Sequence, residues 1–424
     1  MEQASSLTLA PETPANAKRL FVGSCLALIV TAMTFAIRGG LVTTWATEFG
    51  LSSEQVGTVN GTAFWGFTLA MLVGGFLCDI VGMRVLLVLA FVLHAAGLGL
   101  TIAATGYQSL FFGTLMVGIG NGMVEAACNP LVSSLFTTSK TKMLNRFHMF
   151  FPGGIVIGGL ASFAISGLGL PWQAQIGCMF LPLAIYGFIL LSERYPVTER
   201  VQLGISFGAM AKACVQPLFL GMMACMMLTA GTELGTNQWI SALLANAGFS
   251  SILLLVFISG IMVLGRGLAG PLVHAINPKG ILLASAIISG LGLYLLSIAQ
   301  GSMLFASAAV FAIGICYFWP TMLGYVSEAM PSTGSFGLSL MGGIGMLSVS
   351  FILPIMGQRY DNQLLEQAKI IPNAEAAALA AGQDTLGAVA TLPLLLVVPF
   401  VLLYFFDPNA KPKRHLAQLV NGAP

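Results

Sequence analysis

Charged residues are scarce in this sequence, and their scarcity excludes most classes of soluble protein. Only 8% of the 424 residues are Asp, Glu, Lys or Arg, whereas 57% are hydrophobic. The mean hydropathy is +0.91. Soluble domains carry about 25% charged residues. A chain with so little charge cannot cover a globule with polar surface, so we expect most of its surface to face lipid.

The sequence also lacks the patterns that metal proteins and common enzymes need. Its seven cysteines lie in apolar segments, without CxxC spacing or a neighbouring His cluster, and this predicts neither a metal site nor a disulfide framework. No P-loop, dinucleotide-binding fingerprint or nucleophile elbow occurs. We therefore expect a protein that is not an enzyme, holds no cofactor, uses no ATP and binds no nucleic acid.

Long apolar runs recur along the whole chain. A run must cover about 20 residues to cross the hydrocarbon core of a bilayer as a helix, and helices satisfy their own backbone hydrogen bonds in lipid. Twelve runs meet this requirement and predict an all-α integral membrane protein. They lie at 19–46, 54–78, 84–104, 107–133, 145–167, 171–192, 212–246, 250–274, 280–298, 302–328, 333–357 and 382–406.

The basic residues predict the orientation of these spans. Cytoplasmic loops of membrane proteins collect Lys and Arg. Placing both termini in the cytoplasm puts most of the 17 basic residues on that side, whereas the opposite orientation inverts the bias. We expect a multi-pass protein of the cell membrane, in bacterial terms the inner membrane. The cytoplasmic set is Lys18, Arg19, Arg84, Lys140, Lys142, Arg146, Arg194, Arg200, Lys212, Arg266, Lys279, Lys411, Lys413 and Arg414.

An internal repeat divides the chain into two halves. GGFLCDIVGMR bridges the second and third spans, and GRGLAGPLVHAINPKG bridges the eighth and ninth. Pro130 and Pro320 differ by the same interval as the first glycines of these two stretches, Gly75 and Gly265. Parallel six-helix repeats are typical of one large class of secondary transporters. The predicted units are a tail at 1–18, a bundle at 19–192, a linker at 193–211, a bundle at 212–406 and a tail at 407–424.

The pattern G-x-x-x-D-x-x-G-x-R at Gly75–Arg84 resembles the loop 2–3 signature of the major facilitator superfamily. The resemblance implies twelve transmembrane helices in two six-helix pseudo-repeats. GNGMVEAACNP, NRFHMFFPGGIVIGG, GTELGTNQW, GRGLAG and YFWPTMLGYVSE are similar, in order and spacing, to the fucose–proton symporter family. In that family the glutamate of the fourth span couples protons and binds sugar, which implies this role for Glu125. The family's Asn-Asp pair in the first span is replaced here by Arg38 and Gly39 in AIRGGLVTT.

Glu125 is a single carboxyl group in the middle of the fourth span. Ionisable groups at a helix centre cost about 2.5–3.5 kcal/mol on insertion scales, so such an acid is paired, hydrated or protonated. One reading is a protonated group that only hydrogen-bonds neighbouring helices. The other is a carboxyl group that takes and releases a proton, because dehydration disfavours its ionised form and a nearby cation favours it. Residues three and four apart share a helix face, and this face contains Gly118, Asn121, Gly122, Glu125 and Asn129. Asn121, Glu125 and Asn129 are predicted to contact the substrate.

Arg38 in the first span is the predicted counter-ion of Glu125, because the first and fourth spans both line the cavity of this fold. The pair could be structural, or Arg38 could tune the proton affinity of Glu125. A third reading is that the guanidinium grips a substrate carboxylate or phosphate in a bidentate contact. That reading predicts an organic anion or sugar acid as cargo.

Further predicted substrate contacts lie in the fifth, seventh and tenth spans. Glu233 and Asn237 are four residues apart, with Trp239 nearby, and an acid, amides and an indole suit the hydroxyls and C–H face of a sugar. The alternative places Glu233 at the outer mouth and Trp239 in an interfacial aromatic belt. His148 is a proton-relay candidate or a satisfied group at a helix end. Trp319, in GICYFWPTM, is a candidate for the cavity wall.

Four charged residues near the cytoplasmic loops are predicted to gate transport rather than bind substrate. Asp79 and Arg84 are expected to form a charge network that holds the outward-open state, with Arg266 and Lys279 as the equivalents in the second half. The polar outside segment at 358–381 is predicted to be a surface helix or a lid.

These features favour a monomeric secondary transporter of a small sugar, coupled to protons or to sodium. Two six-helix bundles would rock about a site near the midplane of the bilayer. An organic anion transporter that uses Arg38 is the alternative. A lipid or drug exporter fits poorly with so polar a cavity, and a receptor would need a larger soluble domain than the predicted tails supply.

Overall fold

The computed structural model describes residues 15–244 and 251–407. Within these ranges all regular elements are helical. The predicted tails lie largely outside the described residues, together with Lys411, Lys413 and Arg414. The predicted end of the seventh span and start of the eighth, at 245–250, also lie outside them.

The helices are numbered in chain order. Those up to the linker are α1 (Ala17–Glu48), α2 (Ser53–Val81), α3 (Met83–Ile102), α4 (Tyr107–Leu135), α5 (Lys140–His148), α6 (Phe150–Gly167), α7 (Trp172–Gly177) and α8 (Phe180–Ser192). The later ones are α9 (Glu199–Gln202), α10 (Phe207–Cys214), α11 (Pro217–Ala230), α12 (Thr236–Leu243), α13 (Ser251–Gly267), α14 (Ala269–Ile298), α15 (Met303–Ile315), α16 (Phe318–Ala329), α17 (Gly334–Ile370), α18 (Ala374–Val389) and α19 (Thr391–Phe406). A π-helical turn, Gly231–Gly235, joins α11 to α12.

The described helices confirm the predicted all-α membrane fold. Eleven segments are long and apolar enough to cross a bilayer, and the shorter apolar helix Leu254–Gly267 supplies a twelfth crossing. The seventh crossing begins at Pro217 rather than at 212, because α10 forms a separate helix before it. Proline suits the first turn of a helix, where its missing N–H would have no partner. The residue limits of the two bundles stay a prediction.

The turn between the eighth and ninth crossings lies inside α14, at Asn277. This residue has φ 55 and ψ 167, outside the helical region. Its side-chain oxygen accepts hydrogen bonds from the backbone N–H groups of Lys279 (3.0 Å) and Gly280 (3.1 Å). Asn277 therefore caps the ninth crossing, with Pro278 at its first position.

The segment 358–381 is helical but is not a separate surface helix, which corrects that part of the prediction. Helix α17 continues to Ile370, and α18 begins at Ala374, so the segment consists of the projecting ends of two crossings. Arg359 and Asp384 join them through an ion pair of 2.7 Å. Polar residues continue these helices past the apolar stretch because water can solvate their outer faces there.

Apolar side chains divide between the interior and the lipid-facing surface. Phe163, Phe188 and Phe406 are 71%, 79% and 75% exposed, as side chains that contact acyl chains should be. Phe67, Phe311 and Phe400 are among the largest fully buried side chains. The exposed and the buried phenylalanines are chemically alike. The exposed ones are tolerated on the surface because they contact lipid rather than water.

Close contacts hold the two halves together at the end of the molecule that carries 193–211, here called the linker face. A β-carbon on Gly75 of α2 would overlap Ser339 of α17, and one on Gly324 of α16 would overlap Thr141 of α5. Glycine is required at both positions because the facing helices approach so closely. At the opposite face, a cleft of about 710 Å³ separates α2 from α12 and α17. The molecule is thus closed at the linker face and open at the other.

Both ends of the described chain lie at the linker face. Asn16 donates a hydrogen bond of 2.7 Å to Glu193, which follows α8. Asp407, after α19, lies 3.4 Å from Lys279 at the turn within α14. An even number of crossings requires this arrangement. The cytoplasmic location of this face stays a prediction.

The linker itself fastens the closed face. Asp79, at the end of α2, accepts hydrogen bonds of 2.5 Å from Arg200 and from Thr198. Glu199 bonds to Lys140 of α5 at 2.7 Å, and Lys140 also donates to the carbonyl oxygen of Ser327 in α16 at 3.1 Å. These contacts join the first half, the linker and the second half, and we call them the linker latch.

The predicted gating group has a different composition in the structure. Arg84 does not pair with Asp79, because its guanidinium turns to the carbonyl oxygen of Leu191 at 2.8 Å. Arg200 takes the place expected for Arg84. Lys279 pairs within its own half. Arg266 is absent from the linker face and is buried in the centre of the molecule.

We predict that Arg200→Gln opens the linker face. Losing an ion pair worth about 1.4 kcal/mol shifts a two-state equilibrium by about tenfold. In a cysteine-free background, a reporter Ser133→Cys, now 3% exposed, should react faster with a water-soluble thiol reagent. A reporter Gly57→Cys in the outer cleft should react more slowly.

Arg19→Gln is the matched control, because Arg19 pairs with Glu193 at the start of the linker, beside α8, and this pair involves no residue of the second half. That variant should leave both reaction rates unchanged. If Arg200→Gln accelerates both reporters, the cause is general loosening and the latch assignment is wrong.

Candidate functional site

Glu125 forms a polar triad with Asn129 and His148 in the first half. Glu125 is 2% exposed, and its Oε2 accepts a hydrogen bond of 2.6 Å from Asn129, one helical turn later. The side-chain oxygen of Asn129 lies 3.0 Å from Nε2 of His148, and Nδ1 of His148 lies 3.8 Å from Oε1 of Glu125. The spacing of Glu125 and Asn129 on α4 and the position of His148 at the end of α5 create this triad.

The triad can hold one proton between Glu125 and His148. Since Asn129 presents its oxygen to His148, the network assigns a hydrogen to Nε2 of the imidazole. Nδ1 of the neutral ring is then an acceptor that faces a carboxylate oxygen. A proton on the carboxyl group, or on Nδ1, makes that contact favourable.

The second half contributes a buried ion pair. Arg266 of α13 is 1% exposed, and its Nη2 lies 2.6 Å from Oε1 of Glu233 in the π-helical turn. Its Nε donates to the carbonyl oxygen of Cys316 at 2.6 Å, and its Nη1 donates to the carbonyl oxygen of His148 at 3.0 Å. The last bond crosses from one half to the other, so Arg266 connects the ion pair with the triad.

Two prolines make these carbonyl groups available. Proline has no N–H, so in a helix it leaves the carbonyl oxygen four residues earlier without its usual partner. Pro152 stands four residues after His148, and Pro320 stands four residues after Cys316. Arg266 therefore donates to the two backbone oxygens that the prolines release. The sequence contained this signal, and our sequence analysis missed it.

A small central cavity of about 20 Å³ lies between the triad and the ion pair. Trp319 is 6% exposed on its wall, and its indole N–H has no hydrogen-bond partner among the residues that the structure describes. Such a volume holds about one water molecule. The cavity is lined by Phe67, Glu125, His148, Phe151, Glu233, Leu234, Arg266, Trp319 and Met346.

The structure brings together only some of the predicted site residues. Glu125, His148, Glu233 and Trp319 line the central cavity, and Asn129 contacts two of them. Trp239 lines the outer cleft instead, beside Gln238. Asn237, in the first turn of α12, is 8% exposed and lines neither the central cavity nor the outer cleft.

Asn121 belongs to a different network. It donates to Thr34 of α1 at 2.9 Å, and its side-chain oxygen lies 2.9 Å from Nε2 of His94. Nδ1 of His94 lies 3.0 Å from the hydroxyl of Tyr186. This chain of polar contacts fixes the amide of Asn121 inside the first half. His94 belongs to none of the sites predicted from the sequence.

Arg38 does not reach Glu125, which corrects the predicted contact. Antiparallel packing sets Thr34 against Asn121, so Arg38 lies one turn from Asn121 in the direction opposite to Glu125. Its Nη1 donates to the carbonyl oxygen of Asn60 at 2.6 Å, and its guanidinium lies over the rings of Phe35 (5.5 Å) and Phe64 (5.8 Å). The cation beside Glu125 is Arg266.

We predict that Arg266 and Glu233 stabilise the fold as a pair, because each neutralises the charge of the other. Removing one partner of a buried ion pair costs about 3–5 kcal/mol, because the other charge stays buried without compensation. Arg266→Met should therefore lower the thermal unfolding midpoint in detergent more than the double variant Arg266→Met/Glu233→Gln does.

The exposed pair Arg359–Asp384 supplies the control, because exposed pairs contribute only about 0–1 kcal/mol. Arg359→Met should barely change the midpoint. Equal losses in the single and double variants at Arg266 and Glu233 would show that the two side chains are not coupled.

Comparison with known proteins supports the architecture. The chain superposes on the E. coli proton:xylose symporter XylE, bound to 6-bromo-6-deoxy-D-glucose, with a TM-score of 0.77 at 15% identity, over 94% of this chain and 97% of that one. It superposes on the E. coli fucose:proton symporter FucP with a TM-score of 0.67 at 15% identity, over 89% of this chain and 98% of that one.

Sequence similarity to curated proteins is more local. A stretch of 114 residues, 27% of this chain, is 32% identical to the probable anion transporter 6, chloroplastic, of Arabidopsis thaliana. The match spans 22% of that relative's length. The family model described as Major Facilitator Superfamily matches residues 24–362. The chain therefore belongs to the Major Facilitator Superfamily, and it is a membrane transport protein rather than an enzyme.

Proposed function

We propose that this protein is a secondary active transporter that moves a small, fucose-like or hexose-like sugar across the membrane together with protons. The observation that carries the proposal is the buried Glu125 triad next to the Arg266–Glu233 ion pair. The similarity to a xylose and a fucose symporter supports a sugar as the cargo. The transport cycle would alternate between the present form, closed at the linker face, and a form closed at the opposite face.

A count of charges explains how a proton would be coupled to closure. With a neutral imidazole at His148, the centre holds two carboxyl groups, Glu125 and Glu233, and one guanidinium, Arg266. Charge is costly in a dry membrane interior. The closed centre is neutral when one carboxyl group is protonated. Arg266 neutralises Glu233 directly, so Glu125 is the group that takes the proton.

The outer cleft is the proposed entrance for sugar. Its volume of about 710 Å³ is in the range of small-molecule sites, whereas the central cavity of about 20 Å³ is too small for a sugar. Trp239 and Gln238 line the cleft and offer an aromatic face and an amide. Sugar that moves inward would meet the indole N–H of Trp319, which has no partner in the closed centre.

The remaining assignments follow from charge and composition. We place the linker face and both termini in the cytoplasm, because Lys and Arg collect at that face. We propose a monomer in the cell membrane, in bacteria the inner membrane. The proton is the proposed coupling ion because Glu125 and His148 are arranged to share one, and sodium is the alternative.

We predict that Glu125→Gln abolishes uphill accumulation of sugar but preserves exchange of labelled for unlabelled sugar. Glutamine resembles the protonated carboxyl group in shape and charge, so the centre can still close, but it cannot release a proton. Purified protein in liposomes, under an imposed pH gradient and with the sugar found by screening the wild type, would measure both activities.

Glu366→Gln is the control, because this acid is exposed and distant from the centre. It should accumulate sugar as the wild type does. Uphill accumulation by Glu125→Gln would refute the coupling role of Glu125.

Transport of an organic anion is the second candidate. The local similarity to a probable anion transporter and the buried guanidinium of Arg38 favour it. For a sugar transporter, we predict that neutral sugars compete for uptake and sugar acids such as gluconate and glucuronate do not. The reverse order of competition, together with loss of anion uptake in Arg38→Gln, would establish the anion transporter instead.

A further inference from the structure

A second polar cavity lies inside the first half, apart from the central one. Its volume is about 20 Å³, and it is enclosed by side chains of α1, α2, α3, α4 and α7 and by Met179. Arg38 and Trp45 from α1 and Asn121 from α4 are on its wall, whereas Glu125 is not. We call it the Arg38 chamber. The chamber is lined by Thr34, Arg38, Trp45, Ala63, Leu98, Thr101, Thr114, Val117, Gly118, Asn121, Ile176 and Met179.

The positive charge on this wall has no negative partner among the described residues. Arg38 is 6% exposed and takes part in none of the ion pairs in that part of the chain. The carbonyl oxygen of Asn60 and two aromatic faces are its contacts. Those groups are dipoles and quadrupoles, not full charges. A buried cation is normally paired, because leaving it uncompensated is costly.

Two buried polar atoms on the chamber wall have no hydrogen-bond partner within the described part of the chain: Nη2 of Arg38 and the indole nitrogen of Trp45, a residue only 1% exposed. Neither group can accept a hydrogen bond. The amide of Asn121 gives one N–H to Thr34 and retains a second, while its oxygen is occupied by His94. The hydroxyls of Thr101 and Thr114 donate to their own helices.

Donor groups around a net positive charge select a guest that accepts hydrogen bonds and carries negative charge. The volume of the chamber admits one guest about the size of a water molecule and excludes an organic acid. We infer that the Arg38 chamber binds a small inorganic anion of single charge, such as chloride. The guanidinium of Arg38 and the indole of Trp45 would be its main ligands.

This inference is independent of the proposed sugar transport through the centre. It conflicts with the organic-anion alternative, because that alternative assigns Arg38 to the cargo. The anion would neutralise Arg38 within the first half and tie α1 to α4, without entering the charge balance of Glu125 and Arg266. Because Nη1 of Arg38 binds Asn60, and Asn60 lines the outer cleft, the guanidinium lies between the chamber and that cleft. Anions would therefore enter from the outer cleft.

Binding can be tested on the purified full chain without any transport assay. Chloride, bromide or nitrate would replace methanesulfonate, an organic anion that is too large for the chamber and is not a sugar acid. The ionic strength is kept constant while the thermal unfolding midpoint is recorded. A ligand that binds only the folded state raises the midpoint in a saturable way. We expect such a rise for the small anions. We also expect saturable binding of radioactive chloride to one site per chain.

Two variants locate the site. Arg38→Gln should abolish the midpoint shift. Trp45→Phe should weaken the apparent affinity at least about tenfold, because it removes one hydrogen bond to the charged anion. Arg359→Gln, which changes an exposed arginine, should bind chloride as the wild type does. If Arg38→Gln fails to fold, Trp45→Phe and the chloride stoichiometry decide the question.

Absence of a saturable chloride effect in the wild type would overturn the inference and leave water as the guest. An unchanged affinity in Trp45→Phe would also overturn it, because the anion would then bind elsewhere. If the wild-type protein binds chloride saturably but transports no sugar, the proposed function is refuted and the present inference stands.

Discussion

A buried positive charge shared by the two halves is the interaction on which the centre of this transporter depends. Arg266 bonds to Glu233, to the carbonyl oxygen of Cys316 and to the carbonyl oxygen of His148. Only the last of these lies in the other half. When the halves separate at this point, a buried N–H loses its partner, which costs about 1–3 kcal/mol unless water replaces it. Opening the centre and wetting it are therefore one event.

The same centre shows how local sequence prepares a distant contact. Pro152 and Pro320 lie on different helices in different halves, and each releases one carbonyl oxygen. The π-helical turn at Gly231–Gly235 inserts an extra residue per turn where Glu233 must face Arg266. Three departures from regular helix thus converge on one guanidinium. Departures of this kind are tolerated in membranes where protein groups satisfy the freed backbone.

The membrane crossings could be predicted from the sequence, because lipid requires them to be apolar helices. The apolar runs gave the number of crossings, because every crossing must be apolar for about 20 residues. The turn at Asn277–Pro278 falls between the predicted spans 250–274 and 280–298. The extension of α17 and α18 into the outside segment was not predicted, because composition does not show whether a polar helix is separate or continues an apolar crossing.

The site was less predictable because it depends on the pairing of helices. Helical spacing correctly grouped Glu125 with Asn129, since both lie on one helix. Which arginine faces Glu125 depends on the relative height of α1, α4 and α13 in the membrane, and no local pattern encodes that height. Arg266 therefore occupies the central position expected for Arg38, whereas Arg38 lies in a separate chamber inside the first half.

The linker latch makes the two halves unequal. In the first half, Asp79 is tied to the linker by a buried arginine, whereas the equivalent turn in the second half is capped by its own Asn277, and its Lys279 bonds within the same half. Similar backbones thus contribute different energies to closing the linker face. A transporter built from two related halves can in this way have a preferred resting side, set by a few residues of the connecting segment and adjustable in evolution without altering the transport pathway.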